Sequence, residues 1–194
     1  MARPTQAFIN LSALTHNLAI VRHYVPRSRI MAVIKADAYG HGLLHVASAL
    51  NTVDGFALLE LEAAINLREA GFCQPILLLE GFFTPQELTL FEQYQLSAVI
   101  HHNEQVSMLT QSKHRQLDLY LKINTGMNRL GLTPEQFVRA VNTLKQHQCA
   151  NSITLMTHFA SADENIEKDS VARQLQSFTT ATQGLMHSCS LANS

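Results

Sequence analysis

Met31-Ala-Val-Ile-Lys35-Ala-Asp37-Ala-Tyr39-Gly40-His41-Gly42 is the stretch whose reading decides the fold. A short apolar run ends on a lysine and breaks at once into a turn punctuated by glycines. That order places a primary amine at the C-terminal end of a strand, where α/β proteins gather their active-site groups. A rigid strand holds such an amine in place, and apolar neighbours can lower its pKa, which suits covalent bonding to a carbonyl. The competing reading of Lys35 is a lysine that closes a strand and points into water. Position alone favours that reading, and the surrounding sequence reverses it.

Working outward, apolar strand-like runs recur at Ile30–Lys35, Gly55–Glu60, Ile76–Glu80, Leu96–His101, Leu117–Asn124, Ser152–His158 and Ser188–Asn193. A helical pattern fills each gap. Thr84-Pro85-Gln86-Glu87 and Thr133-Pro134-Glu135-Gln136 both read as capping boxes with proline at the first helical position. Leu61–Arg68 has apolar residues every three to four positions, and Gly71 stops it. Strands alternating with helices imply parallel β-α units.

Seven such units point to a (β/α)8 barrel, with a doubly wound sheet as the alternative. The strand ends favour the barrel. They finish on Lys35, Glu60, Glu80, His101, Lys122 with Asn124, His158, and Asn193 with Ser194, and a barrel brings all such ends to one mouth. Residues 117–124 repeat the logic inside one strand. Leu117, Leu119, Leu121 and Ile123 share one parity and are expected against helices; Asp118, Tyr120, Lys122 and Asn124 share the other. An amine does not sit unpaired in a barrel interior, so Lys122 needs a partner, a ligand or a chemical modification.

Composition narrows the function. The 194 residues are 46% hydrophobic and 15% charged, with a net charge of −1 and no basic run. Such a chain can bury a core, and neither nucleic acid nor a membrane surface is expected as partner. No segment approaches the length of a membrane span, and the first twenty residues lack the pattern of a signal peptide. Cys73, Cys149 and Cys189 are odd in number and far apart, which suits a reducing cytoplasm. His41 and His45 lie four apart with no third ligand near in sequence, so no metal is expected. Met31 and Met127 read as packing residues.

Four segments carry a resemblance. They are Val33–Gly42, Lys122-Ile-Asn-Thr-Gly-Met-Asn-Arg129-Leu-Gly131, Thr157-His158-Phe-Ala160, and Ser190-Leu-Ala-Asn193-Ser194. In content, order and spacing they resemble the motifs of bacterial alanine racemase, and Leu11–Leu18 is similar to that family's N-terminal signature. The resemblance covers the whole chain. It implies residues 1–194 as the N-terminal barrel domain of a fold-type III enzyme that binds pyridoxal 5'-phosphate (PLP). Lys35 would carry the cofactor and act as one base. Tyr39, His158, Asn193 and Ser194 would help hold the cofactor, His158 against its ring. Arg129 would contact the substrate carboxylate. Lys122 matches a lysine that is carbamylated in many members, where it fixes that arginine.

The chemistry asks for these residue types. Removing the α-proton of an amino acid needs an electron acceptor, which the cofactor is, and a base close to the carbon. A planar guanidinium pairs with a carboxylate through two hydrogen bonds. Carbamylating Lys122 would turn a buried cation into an anion beside Arg129. The resemblance implies interconversion of L- and D-alanine for peptidoglycan, in a cytoplasmic homodimer.

A complete barrel of this type runs to about 250 residues. The sequence therefore reads as a barrel cut after its seventh strand, without the family's C-terminal β-domain and the tyrosine that serves as second base. Little or no racemase activity is expected of the 194 residues alone. A non-catalytic PLP-binding barrel and a fold-type III decarboxylase of basic amino acids are the alternatives.

Overall fold

The hydrophobic runs fold where their pattern puts them; Ser152–His158 forms a strand over its whole length, and most of the others are trimmed at their ends. The computed structural model describes residues 4–113, 117–162 and 168–192. The chain divides into two compact units, Met1–Leu77 and Leu78–Ser194.

The first unit opens with α1 (Leu11–Tyr24), capped by Asn10, whose side chain accepts the Ala13 amide at 3.1 Å. It continues through β1 (Met31–Val33), the turn α2 (Lys35–Gly40), α3 (Leu43–Ala49), β2 (Gly55–Leu58), α4 (Leu61–Glu69) and the start of β3 (Ile76–Leu78), whose last residue opens the second unit. β1 and β2 are parallel, from Met31 opposite Gly55 to Val33 opposite Ala57. Every residue of β2 and β3 is buried. Strands covered on both faces read as continuous apolar runs, as these do. Arg68 ends α4 by donating to the carbonyls of Phe72 and Gln74, both at 2.7 Å.

The second unit holds α5 (Glu87–Gln93), β4 (Leu96–Ile100), α6 (Asn103–Gln111), β5 (Asp118–Lys122), α7 (Pro134–Gln146), β6 (Ser152–His158), α8 (Lys168–Ala181) and β7 (Ser188–Ala192). β4 to β7 are parallel, and each pairs with its neighbour in the chain. A doubly wound sheet would break that sequential order at its switch point; these four strands keep it.

α7 shows how sequence makes an element here. Thr133 accepts the Gln136 amide at 3.3 Å, Gln136 Oε1 accepts the Thr133 amide at 2.9 Å, and Pro134 occupies the first turn. Phe137, Ala140, Val141 and Leu144 fall on one stripe and are buried. Burying a side chain such as Phe137 or Leu144 contributes about 1.5–3 kcal/mol.

The box expected at Thr84 does not form. α5 starts at Glu87 behind a turn in which the Glu87 and Leu88 amides donate to the carbonyls of Thr84 and Pro85, both at 3.3 Å. The Glu87 carboxylate is already taken by the Phe83 amide at 2.9 Å and the Thr84 hydroxyl at 3.3 Å. Thr84 thus donates to its partner side chain instead of capping a helix.

Candidate active site

β1 ends at Val33, two residues before Lys35, so Lys35 opens a turn instead of closing a strand. Ala36, Asp37, Ala38 and Tyr39 all have φ between 51° and 57°. This is a turn of left-handed helix built from residues with side chains. Each such residue costs about 1–2 kcal/mol, because Cβ crowds the following carbonyl.

Local bonds offset that cost. The Ala38 amide donates to Ile34 O at 3.1 Å, His41 to Ala38 O at 3.1 Å, and Gly42 to Asp37 O at 3.0 Å. Asp37 Oδ1 accepts the Leu43 amide at 2.7 Å, which ties the turn to the start of α3. His41 Nδ1 lies 2.9 Å from Ala38 O and 3.0 Å from Tyr39 O, and donates to them when the proton sits on that nitrogen. Ala38 is buried, Lys35 is half-buried, and Tyr39 stands 55% exposed. The turn thus presents an amine and a phenol from one short, fixed piece of backbone.

In the second unit, strand register sorts the side chains. Val99, Tyr120, Thr154 and Ser188 lie in one row across β4 to β7. Two residues on, Lys122, Met156 and Ser190 form the next row, with His101 beside Lys122 just past the end of β4. His158 stands one row further. Parallel partners point to the same side, so this face is mainly polar, whereas barrel interiors are usually filled by Val, Ile and Leu. The opposite parity, Leu119, Leu121, Ala98, Ile100 and Leu155, is buried. The alternation expected for residues 117–124 is therefore observed.

Lys122 is buried and His158 half-buried. His101 Nε2 lies 3.0 Å from Glu80 O. Burial holds the His101 pKa below that of a free imidazole; the Lys122 charge pushes the same way, and the Glu80 carbonyl pushes against it.

Arg129 sits on the loop between β5 and α7, and it is exposed. Backbone bonds close that loop: Asn124 N–H donates to Leu132 O, and Leu132 N–H to Lys122 O, both at 2.9 Å. Inside it, Asn124 Oδ1 accepts the amides of Gly126 and Asn128 at 3.1 Å, and Asn124 Nδ2 donates to Asn128 Oδ1 at 3.0 Å. Gly131 has φ +132°, and a Cβ there would lie 2.8 Å from the Asn124 nitrogen. Only glycine lets the chain pass so closely.

A buried polar network braces the loop from below. The hydroxyls of Thr125 and Thr157 are 2.8 Å apart, and Thr157 donates to Ile123 O at 3.0 Å. Gln174, 4% exposed, donates to Thr125 Oγ1 at 3.3 Å and to His158 O at 3.4 Å, and accepts the Ala160 amide at 3.1 Å. It joins the Arg129 loop to the end of the strand that carries His158.

Of the residues expected at the site, Lys35 and Tyr39 share one turn of the first unit. Lys122, Arg129 and His158 gather at neighbouring strand ends of the second. Asn193 and Ser194 lie outside the described residues. Sequence reading missed Gln174, Asn124 and Asp37 as supports. Gln174 carried a signal: it falls three residues after Val171 and four before Phe178, so a polar side chain sits on the buried stripe of α8.

Comparison with known proteins follows the same outline. Residues 9–194 match the family model described as alanine racemase, N-terminal domain. The chain is 59% identical over 195 residues to a protein of Nitrosospira multiformis named alanine racemase, covering all of this chain and 55% of that protein. It is 62% identical over 179 residues to one of the same name from Nitrosomonas europaea, covering 92% and 49%. Among solved structures, the biosynthetic alanine racemase of Pseudomonas aeruginosa superposes with a TM-score of 0.88 at 38% identity, covering 95% of this chain and 52% of that one. The alanine racemase of E. faecalis does so with a TM-score of 0.85 at 32% identity, covering 99% and 54%. The chain thus spans about half the length of the curated relatives it matches. The fold class expected from the sequence, α/β of the TIM-barrel type, is the one these structures share. Among the described residues, no helix is long and apolar enough to cross a membrane.

Proposed function

The chain belongs to the alanine racemase N-terminal domain family, and on that premise we propose that it is the cofactor-bearing part of a PLP-dependent enzyme interconverting L- and D-alanine. The observation that carries the reading is the left-handed turn at Lys35–Gly40, which presents the motif's lysine and tyrosine from a fixed backbone. The donor set fits PLP. It offers a half-buried primary amine for the aldehyde, a phenol for the phosphate, an imidazole to lie against the ring and a guanidinium for a carboxylate. When bound, PLP accepts the electron pair left on Cα after deprotonation.

The chain's own residues do the rest. Lys35 Nζ holds the cofactor, then takes the α-proton from one face and returns it. The Tyr39 hydroxyl would donate to a phosphate oxygen, and the family resemblance assigns Asn193 and Ser194, outside the described residues, to the same group. The Arg129 guanidinium would pair with the substrate carboxylate. Lys122, if carbamylated as the resemblance implies, would supply an anion to orient Arg129. D-alanine for peptidoglycan, a cytoplasmic setting and a homodimer complete the reading, as the resemblance to the family implies.

The test is proton exchange. With PLP and D-alanine in D2O, the chain is expected to replace the alanine Cα–H by deuterium faster than it inverts the centre, since Lys35 serves the face from which D-alanine loses its proton. Cofactor binding without exchange would make the chain a carrier. Carbon dioxide release from lysine or ornithine would make it a decarboxylase. Either result overturns the proposal.

A further inference from the structure

We infer that Asp37 is a positioning residue: it holds the left-handed turn that sets Lys35 and Tyr39, and cofactor affinity depends on its carboxylate. The inference rests on the reading of Lys35 and Tyr39 as cofactor-binding groups and adds a residue to which that reading gives no role.

Four consecutive residues with φ between 51° and 57° do not stay left-handed unaided. Ala36, Ala38 and Tyr39 have no intrinsic preference for that region; aspartate visits it more readily because its short side chain can bond locally. Asp37 makes two contacts that a right-handed turn would break. Its carbonyl accepts the Gly42 amide at 3.0 Å, and its Oδ1 accepts the Leu43 amide at 2.7 Å. The second bond crosses the Gly40–Gly42 break and satisfies the first amide of α3, which has no side-chain cap of its own. The turn is thereby anchored to a helix whose Leu43, Val46 and Ala47 are buried. Tyr39, 55% exposed, has little packing of its own, so its place follows from the backbone beneath it.

Three substitutions separate the two contributions. Asp37→Asn keeps both the acceptor oxygen and the tolerance of positive φ. Asp37→Gly keeps only the tolerance, and Asp37→Ala keeps neither. Amide exchange at Gly42 and Leu43 in cofactor-free protein reads the turn itself, and PLP titration followed by the cofactor's visible absorbance reads its consequence. Protection at Leu43 is expected to be unchanged in Asp37→Asn and to fall about tenfold in Asp37→Gly and further in Asp37→Ala. The PLP dissociation constant should rise in the same order, by about tenfold in Asp37→Gly. Wild-type protection at Leu43 and wild-type PLP affinity in Asp37→Ala would overturn the inference. If Asp37→Ala proves too unstable to measure, Asp37→Gly decides it by the same two readouts. Lost protection in the variants of a wild-type chain that takes up no PLP would strike the functional reading and leave the turn's support standing.

Discussion

The Lys35–Gly40 turn and the Asn124–Gly131 loop both carry a cation past a strand end, and they are held in different ways. The first is held almost wholly by its own backbone: a left-handed path, closed by main-chain bonds and one carboxylate six residues from its partner. The second is closed by main-chain bonds at its base but braced inside by Asn124, and below by Thr157 and by Gln174, which arrives from a helix fifty residues on. Strain confined to one short segment persists because local bonds offset it close at hand. A loop leaning on a distant helix takes its shape from the packing of the unit. The difference teaches that sequence motifs mark where such groups sit, whereas what steadies them can lie far outside the motif.

The largest expected effect breaks the loop at its narrowest point. Gly131→Ala forces Cβ to 2.8 Å from the Asn124 nitrogen at a φ of +132°, so stability should fall by about 3 kcal/mol. A urea midpoint equal to wild type would show that the loop yields, and the contrast with the turn would weaken. Gln174→Ala removes the brace. It leaves the Ala160 amide and the Thr125 hydroxyl one hydrogen bond short in a part-buried setting, a loss of about 2 kcal/mol. Backbone NMR shifts centred on Thr125 and Gly126 would accompany it if the network supports the loop. Shifts confined to α8 would show that it does not.

Thr133→Ala, just beyond the loop, removes a helix cap and should cost about 1 kcal/mol. A thermal midpoint unmoved by it would mean that Pro134 and the buried stripe of α7 suffice. The smallest effect is the pH dependence carried by His101. Its folded pKa lies below the free value. Between the two pKa values the unfolded chain therefore binds more protons, and stability falls as pH drops below about 6.5. Asp and Glu residues also titrate lower down, so the wild type must be compared with His101→Gln. The variant should lose part of the slope that sets in as pH drops below about 6.5. Identical slopes would remove His101 from the account.

Much of this was legible in the sequence. All seven strands were, because each is an apolar run between helical patterns, and the alternation in 117–124 separates an apolar side from a polar one. Thr133 announced its helix through Pro134 and Gln136. The handedness of the Lys35 turn was not legible, since alanine and tyrosine carry no signal for positive φ and glycine comes only after it. Thr84 misled because its motif matches a capping box while Glu87 bonds back to Phe83. Gln174 was visible only as a polar residue on a buried stripe, which says that it needs partners but not which ones.

The central claim is that Lys35 carries the cofactor. Borohydride reduction of the PLP-treated protein, followed by peptide mapping, tests it most directly. The account predicts a single pyridoxyl-modified peptide containing Lys35, and a Lys35→Arg variant that takes no label and loses cofactor-dependent α-proton exchange by about 10²–10⁴-fold. Label on Lys122, or full labelling of the Lys35→Arg protein at another site, would contradict it.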